Sequence, residues 1–299
     1  MQDPFMENAF KMLESGFAKS ITSGGIEKEE VELTRQLSLP GKISRGQCAT
    51  LRMIGYFYAV RAGAYLGRGD HEEVRTSLAN AVAFKALAFL LQAAVPHPKQ
   101  PGILPLPFES GLDAAGPCVA GWWPWATQCA RWLAHVAETN QRLKPPEVRS
   151  TGWGKGTSDA FLIALFADAL DVSTTYAPVR PLHTAYADLI SQWRTRNEDT
   201  FRQAMQAAAV YHESQSRIST EKTPFDFDDP PDWIFPMELL AVQSLRRRDG
   251  LPEFQAGNAM VDNAWVAAQG LRLSNCTPLA LQAAARLQSD YPQLQDLLP

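Results

Sequence analysis

Thirteen residues hold the densest chemistry in the chain: Glu221-Lys222-Thr223-Pro224-Phe225-Asp226-Phe227-Asp228-Asp229-Pro230-Pro231-Asp232-Trp233. Asp228, Asp229 and Asp232 are spaced D-D-x-x-D, a pattern that gathers magnesium and diphosphate when its carboxylates share one helical face. Two consecutive prolines sit inside the pattern, and proline removes a backbone donor and disfavours helix in the residue before it. A continuous helix through the three aspartates is therefore not expected, and no second metal-binding motif accompanies them. A magnesium-dependent all-α enzyme using Asp228, Asp229 and Asp232 stands as the third reading.

The other use of such a segment is binding. Residues 221–238 hold six acids, Glu221, Asp226, Asp228, Asp229, Asp232 and Glu238, against Lys222, a net −5 where the whole chain carries −4. Phe225, Phe227 and Trp233 interleave with the carboxylates. Aromatic anchors among acids suit a basic, partly apolar protein surface. The expected contact residues are Glu221, Asp226, Phe227, Asp228, Asp229, Asp232 and Trp233, on an exposed acidic loop over about 215–233. A solvated loop without a partner explains the same residues.

Other signatures are incomplete. None of His71, His97, His135, His183 and His212 is paired at metal-ligand spacing, so H-E-x-x-H is absent. No G-x-S-x-G supports a nucleophile elbow. In Gly152-Trp153-Gly154-Lys155-Gly156-Thr157-Ser158 the lysine precedes glycine and no strand leads in, unlike a phosphate loop. No catalytic residue, metal ligand or cofactor is expected. Gly121-Trp122-Trp123-Pro124-Trp125, with Trp132 downstream, reads as core packing at a helix start or as an interface anchor.

The frame that must carry these residues is helical. Of 299 residues 45% are hydrophobic and 20% charged, an ordinary globular composition. Its acidity argues against a nucleic-acid binder. Cys48, Cys118, Cys129 and Cys276 lack C-x-x-C spacing, which favours reduced, buried thiols. With no signal peptide and no run of 18 apolar residues, the expectation is a cytoplasmic protein. Periodicity predicts helices over 6–20, 26–38, 44–66, 70–95, 122–143, 158–171, 180–196, 198–214, 236–248, 258–270 and 277–289. Asp70, Ser158-Asp159, Asn197 and Thr277 read as N-caps and Gly67-Arg68-Gly69 as a helix stop. Prolines and glycines over 96–121 predict a long non-helical segment, and Pro145-Pro146 to Gly156 a second connection. The fold expected is all-α: an irregular array of about ten antiparallel helices stacked as hairpins. Residues 1–5 read as a possible cloning scar, and 6–299 as one domain.

Two stretches resemble the bacterial polymorphic-toxin immunity proteins of the all-α immunity protein 49 type. Leu66-Gly67-Arg68-Gly69-Asp70, followed by Val74 to Ala83, is similar to that family's G-D turn and alanine-rich helix. Asp232-Trp233-Ile234-Phe235-Pro236 through Arg246-Arg247-Arg248-Asp249-Gly250 is similar to its late helix, entered through proline and left through basic residues and glycine. The family's following tyrosine- and proline-containing segment has only an approximate counterpart in Leu251-Pro252-Glu253-Phe254. The resemblance implies a cytoplasmic antidote that binds a cognate toxin, often a nuclease effector such as a DNase, used in interbacterial competition and delivered by contact or type VI secretion. It implies inhibition by occlusion and no catalysis. Local charge, rather than a carried-over family site, suggests the acids at 226–232 as a phosphate surrogate in the toxin's basic groove. A helical scaffold for another partner is the second reading.

Overall fold

The computed structural model describes residues 4–95, 110–143, 158–220, 222–223, 225–294 and 297. Over these residues the chain forms thirteen α-helices, two short 3-10 turns and no strand, an all-α fold. The expectation at 96–109 and 144–157 lies outside the described residues, as does Glu221.

Burial is deepest along α4 (His71–Ala94), where every residue from Ser77 to Ala94 except Lys85 is buried. A helix apolar on all sides must be enclosed by others. By composition α4 could cross a membrane, yet 94% of that window is buried within the fold, as befits a core helix. Helix α3 (Cys48–Arg68) packs beside it. Their connection is one tight turn, with Gly69 in the left-handed region at φ 75° and the Asp70 carboxylate accepting from Glu73 N at 3.3 Å. Gly55 sets the approach of the two helices. A Cβ there would stand 2.8 Å from Lys85 Cγ and 3.0 Å from Lys85 N.

Helices α1 (Pro4–Ser23) and α2 (Gly25–Ser38) cover α3. The first begins at Pro4, inside the stretch read as a scar, and Phe5 packs against Trp233 at 6.3 Å between ring centroids. On the other side of α4 lies α5 (Ser110–Val119), which also meets α6 (Trp123–Leu143), α7 (Ser158–Ala169) and α11 (Met237–Arg248). Helix α5 corrects the expectation of a non-helical 96–121. Its glycines make room rather than break the helix: a Cβ at Gly111 would lie 3.1 Å from Asp159 Cβ, and one at Gly116 3.1 Å from Val82 Cγ1. Pro117 is accommodated in the last turn, where its own carbonyl accepts from Trp122 N at 2.9 Å.

The remaining helices are α8 (Thr184–Gln192), α9 (Glu198–Gln215), α10 (Pro230–Ile234), α12 (Ala259–Ala268) and α13 (Pro278–Asp290). Helix α8 is shorter than the 180–196 expected, and α10 was not expected at all. Its Pro230 and Pro231 occupy the first two helical positions, where a missing N–H costs nothing. Asn197 and Thr277 cap α9 and α13 as read, accepting from Thr200 N at 2.9 Å and Ala280 N at 3.4 Å.

Candidate functional site

Four helices converge on a charged cluster. The Lys85 ammonium of α4 lies 3.3 Å from Asp232 Oδ1 on α10 and 3.7 Å from Asp113 Oδ1 on α5. Arg52 of α3 donates from Nε to Asp113 Oδ2 at 3.3 Å and from Nη2 to Gln92 Oε1 at 2.9 Å. The Asp113 and Asp232 side chains are only 3% and 6% exposed, so their charges depend on these cations. Burial works against the Lys85 charge, but Asp232, Asp113 and Asp229 together outweigh it and push its pKa up, so it stays an ammonium. Burial raises Asp232 above the usual carboxylate range, and Lys85 opposes the rise. A cavity of about 20 Å³ adjoins the cluster, lined by Lys85, Asp113 and Asp232 among apolar neighbours such as Leu78, Val82 and Phe235.

Above the cluster the surface opens. Ala49, Arg52, Met53 and Tyr56 stand at i, i+3, i+4 and i+7 on α3 and, with Asp229, line an open groove of about 420 Å³. Met53 is 44% exposed. Burial, and after it the charge of Asp229, pushes the Tyr56 hydroxyl up.

The expected acidic face is largely inside the molecule. Phe227 is fully buried, and Asp226, Asp232 and Trp233 are nearly so. Asp228 and Asp229 are partly exposed, and only Asp229 reaches the groove. The correction has a physical cause: the aromatics fold inward and carry the acids with them. Trp233 Nε1 donates to Phe227 O at 2.8 Å, and Phe227 N to Gln215 O at 3.2 Å, which ties the segment back to the end of α9. Asp232 then finds Lys85. The magnesium reading loses its geometry for the same reason, because Asp232 is held by an ammonium in a five-residue helix that Asp228 and Asp229 precede. Among the described residues no three His, Cys, Asp or Glu side chains gather as metal ligands.

A second buried cluster lies around α9 and α11. His212 Nδ1 and Glu238 Oε1 are 2.7 Å apart, both fully buried, and the Tyr186 hydroxyl donates to the same oxygen at 3.2 Å. The His212 ring stacks on Phe227 at 3.9 Å. Asp226 Oδ2 accepts from Ser158 N at 3.3 Å and so caps α7 from a distant segment. Burial drives the Asp226 carboxyl up to about 7; the Ser158 hydrogen bond opposes this, Asp159 and Glu238 add to it, and His212 opposes it.

The tryptophans divide. Trp122 and Trp125 are buried against each other at 5.7 Å, as core packing requires, while Trp132 lines an open depression on α6. The basic triplet turns to partners within the fold. Arg246 is fully buried, donates to the carbonyls of Trp193, Thr195 and Pro252, and lies over the Phe201 ring. Arg247 pairs with Glu253, and Arg248 with Asp249 and the Ala169 carbonyl. All four cysteines are free and buried, and burial pushes each thiol up. Sequence reasoning missed Arg52, Lys85 and Asp113. The available signal was Lys85 itself, the one cation in the apolar run 78–94.

No family model, curated protein or solved structure matches this chain.

Proposed function

We propose that the chain is a cytoplasmic binding protein that neutralises a cognate protein toxin without catalysis, and that the partner makes contact at the α3 groove. The toxin, with a nuclease effector as the first class to test, comes from the immunity-protein resemblance. The binding surface comes from one observation: the open groove of about 420 Å³ in which Met53 and Tyr56 are flanked by Arg52 and Asp229. Tyr, Met and Arg are the side chains enriched at protein interfaces. The ion network behind the groove fixes Arg52, which lowers the cost of ordering it on association. Both signs of charge rim the groove, so its partner surface is mixed rather than uniformly basic, and the phosphate-surrogate idea is dropped.

The test is co-expression with the product of the neighbouring reading frame. Protection of the host and a stoichiometric complex are expected, with Met53→Glu weakening the complex about tenfold or more by burying an unpaired charge. Met53 is partly exposed, so the unfolding midpoint of the variant should match the parent. Failure to protect, or full affinity in Met53→Glu, overturns the reading.

A further inference from the structure

Helix α6 carries a second surface that neither the groove nor the ion cluster uses. Gln128, Arg131, Trp132 and His135 stand at i, i+3, i+4 and i+7 on its outer side, and with Gln293 they line an open depression of about 430 Å³. The opposite side of α6 is core: Leu133, Val136 and Ala137 are fully buried. Trp132 meets His135 at right angles, with ring centroids 5.3 Å apart and planes at 89°, and stays partly exposed on the wall of the depression.

The polar groups of this face are unpaired among the described residues. Among the described residues Arg131 makes no ion pair or hydrogen bond, and neither do the amides of Gln128 and Gln293. The nearest acid along the helix, Glu138, keeps its charge but makes no ion pair with Arg131; it accepts from Thr174 Oγ1 at 2.8 Å and Thr175 N at 2.6 Å. Asp290, three residues before Gln293, is held by Arg286 at 2.8 Å and by Ile43 N at 2.7 Å. A guanidinium with no counter-ion among the described residues, next to a partly buried indole, joins two of the side-chain types enriched at interface hot spots.

We infer that this face of α6 is a docking site for an acidic segment of a partner protein, a carboxylate meeting Arg131 and an aromatic or apolar side chain meeting Trp132. Both free amides add hydrogen bonds to the segment's backbone. The sign is opposite to the one the acidic chain as a whole suggests, because Arg131, unpaired among the described residues, decides it locally. The inference does not depend on the α3 groove or on the partner being a toxin.

The test is nuclear magnetic resonance of the full chain, reading the Trp132 indole N–H, assigned by its loss in Trp132→Phe. The probes are an acetylated tetrapeptide of aspartate, phenylalanine, glutamate and aspartate, the same peptide with lysine for each acid, and inorganic phosphate. Expected is a saturable shift with the acidic peptide that is weakened about tenfold in Arg131→Gln and by added salt. Arg131 is exposed and unpartnered, so Arg131→Gln keeps the parent's circular dichroism and unfolding midpoint. No shift with the acidic peptide, an equal shift with the lysine peptide or with phosphate alone, or undiminished binding in Arg131→Gln would overturn the inference.

Discussion

Replacing Lys85 with methionine keeps most of the side chain's volume and removes its charge. In the parent the ammonium lies 3.3 Å from Asp232 and 3.7 Å from Asp113. At an effective dielectric near 20, each pair is worth about 5 kcal/mol of Coulomb attraction before desolvation is subtracted. Asp113 keeps Arg52 in the variant, but Asp232 keeps no cation at comparable distance. An isolated buried carboxylate typically costs about 3–5 kcal/mol. Lys85→Met should therefore lower the stability at pH 7 by about that amount, read from urea unfolding at constant m. Asp232→Asn placed on top should restore about 2 kcal/mol or more, because the stranded charge is then gone. The deficit of Lys85→Met should also shrink toward pH 4. Loss of Lys85 raises Asp232 further, the native state holds that proton more tightly than the unfolded chain, and its stability rises as pH falls. A Lys85→Met chain within about 1 kcal/mol of the parent, or a double variant no better than the single, would refute this account of the cluster.

Three further outcomes follow from the core. Asp226 titrates near 7 in the fold against 3.8 for the free side chain, so the native state binds the extra proton between those values and stability falls as pH rises through that window, by about 4 kcal/mol at most. Asp226→Asn keeps an oxygen to accept from Ser158 N and should flatten the slope; unfolding curves at pH 4, 5.5 and 7 that remain parallel to the parent's would contradict it. Gly55→Ala forces a methyl to within 3.0 Å of the Lys85 backbone and should cost about 1–3 kcal/mol in the same assay. Arg246→Met strands the carbonyls of Trp193, Thr195 and Pro252, and a loss of about 2–4 kcal/mol is expected in thermal or urea unfolding.

Helix positions were legible wherever periodicity and caps agreed. Asp70, Asn197, Thr277 and Gly69 did in the fold what their types suggest, and the apolar girth of 78–94 did place α4 at the centre. Helix α5 was illegible because Gly111, Gly116 and Pro117 read as breakers in isolation. Only the proximity of Asp159 and Val82, distant in sequence, shows that the glycines are there for lack of a side chain. The acidic segment was misjudged for a related reason. Charge density says nothing of direction, and Phe227 and Trp233 outweighed the carboxylates once Lys85 and Ser158 N could receive them. The groove on α3 was not legible: nothing in the sequence alone marks Met53 and Tyr56, which gain meaning only from Asp229, far away in the chain.

The cap that Asp226 supplies to α7 has a bearing on biosynthesis. Helix α7 is buried from Ser158 to Ile163 and again at Leu165 and Phe166, so it has almost no wet side of its own. Its first turn is completed by a carboxylate 68 positions later in the chain. While the ribosome is still making α8 and α9, the segment therefore waits with its apolar surface uncovered and its start unfastened. Chaperone demand during translation should be concentrated in that interval, and a stall placed just before residue 226 should leave α7 open to protease while a stall well past it, with residue 226 clear of the ribosome, should not.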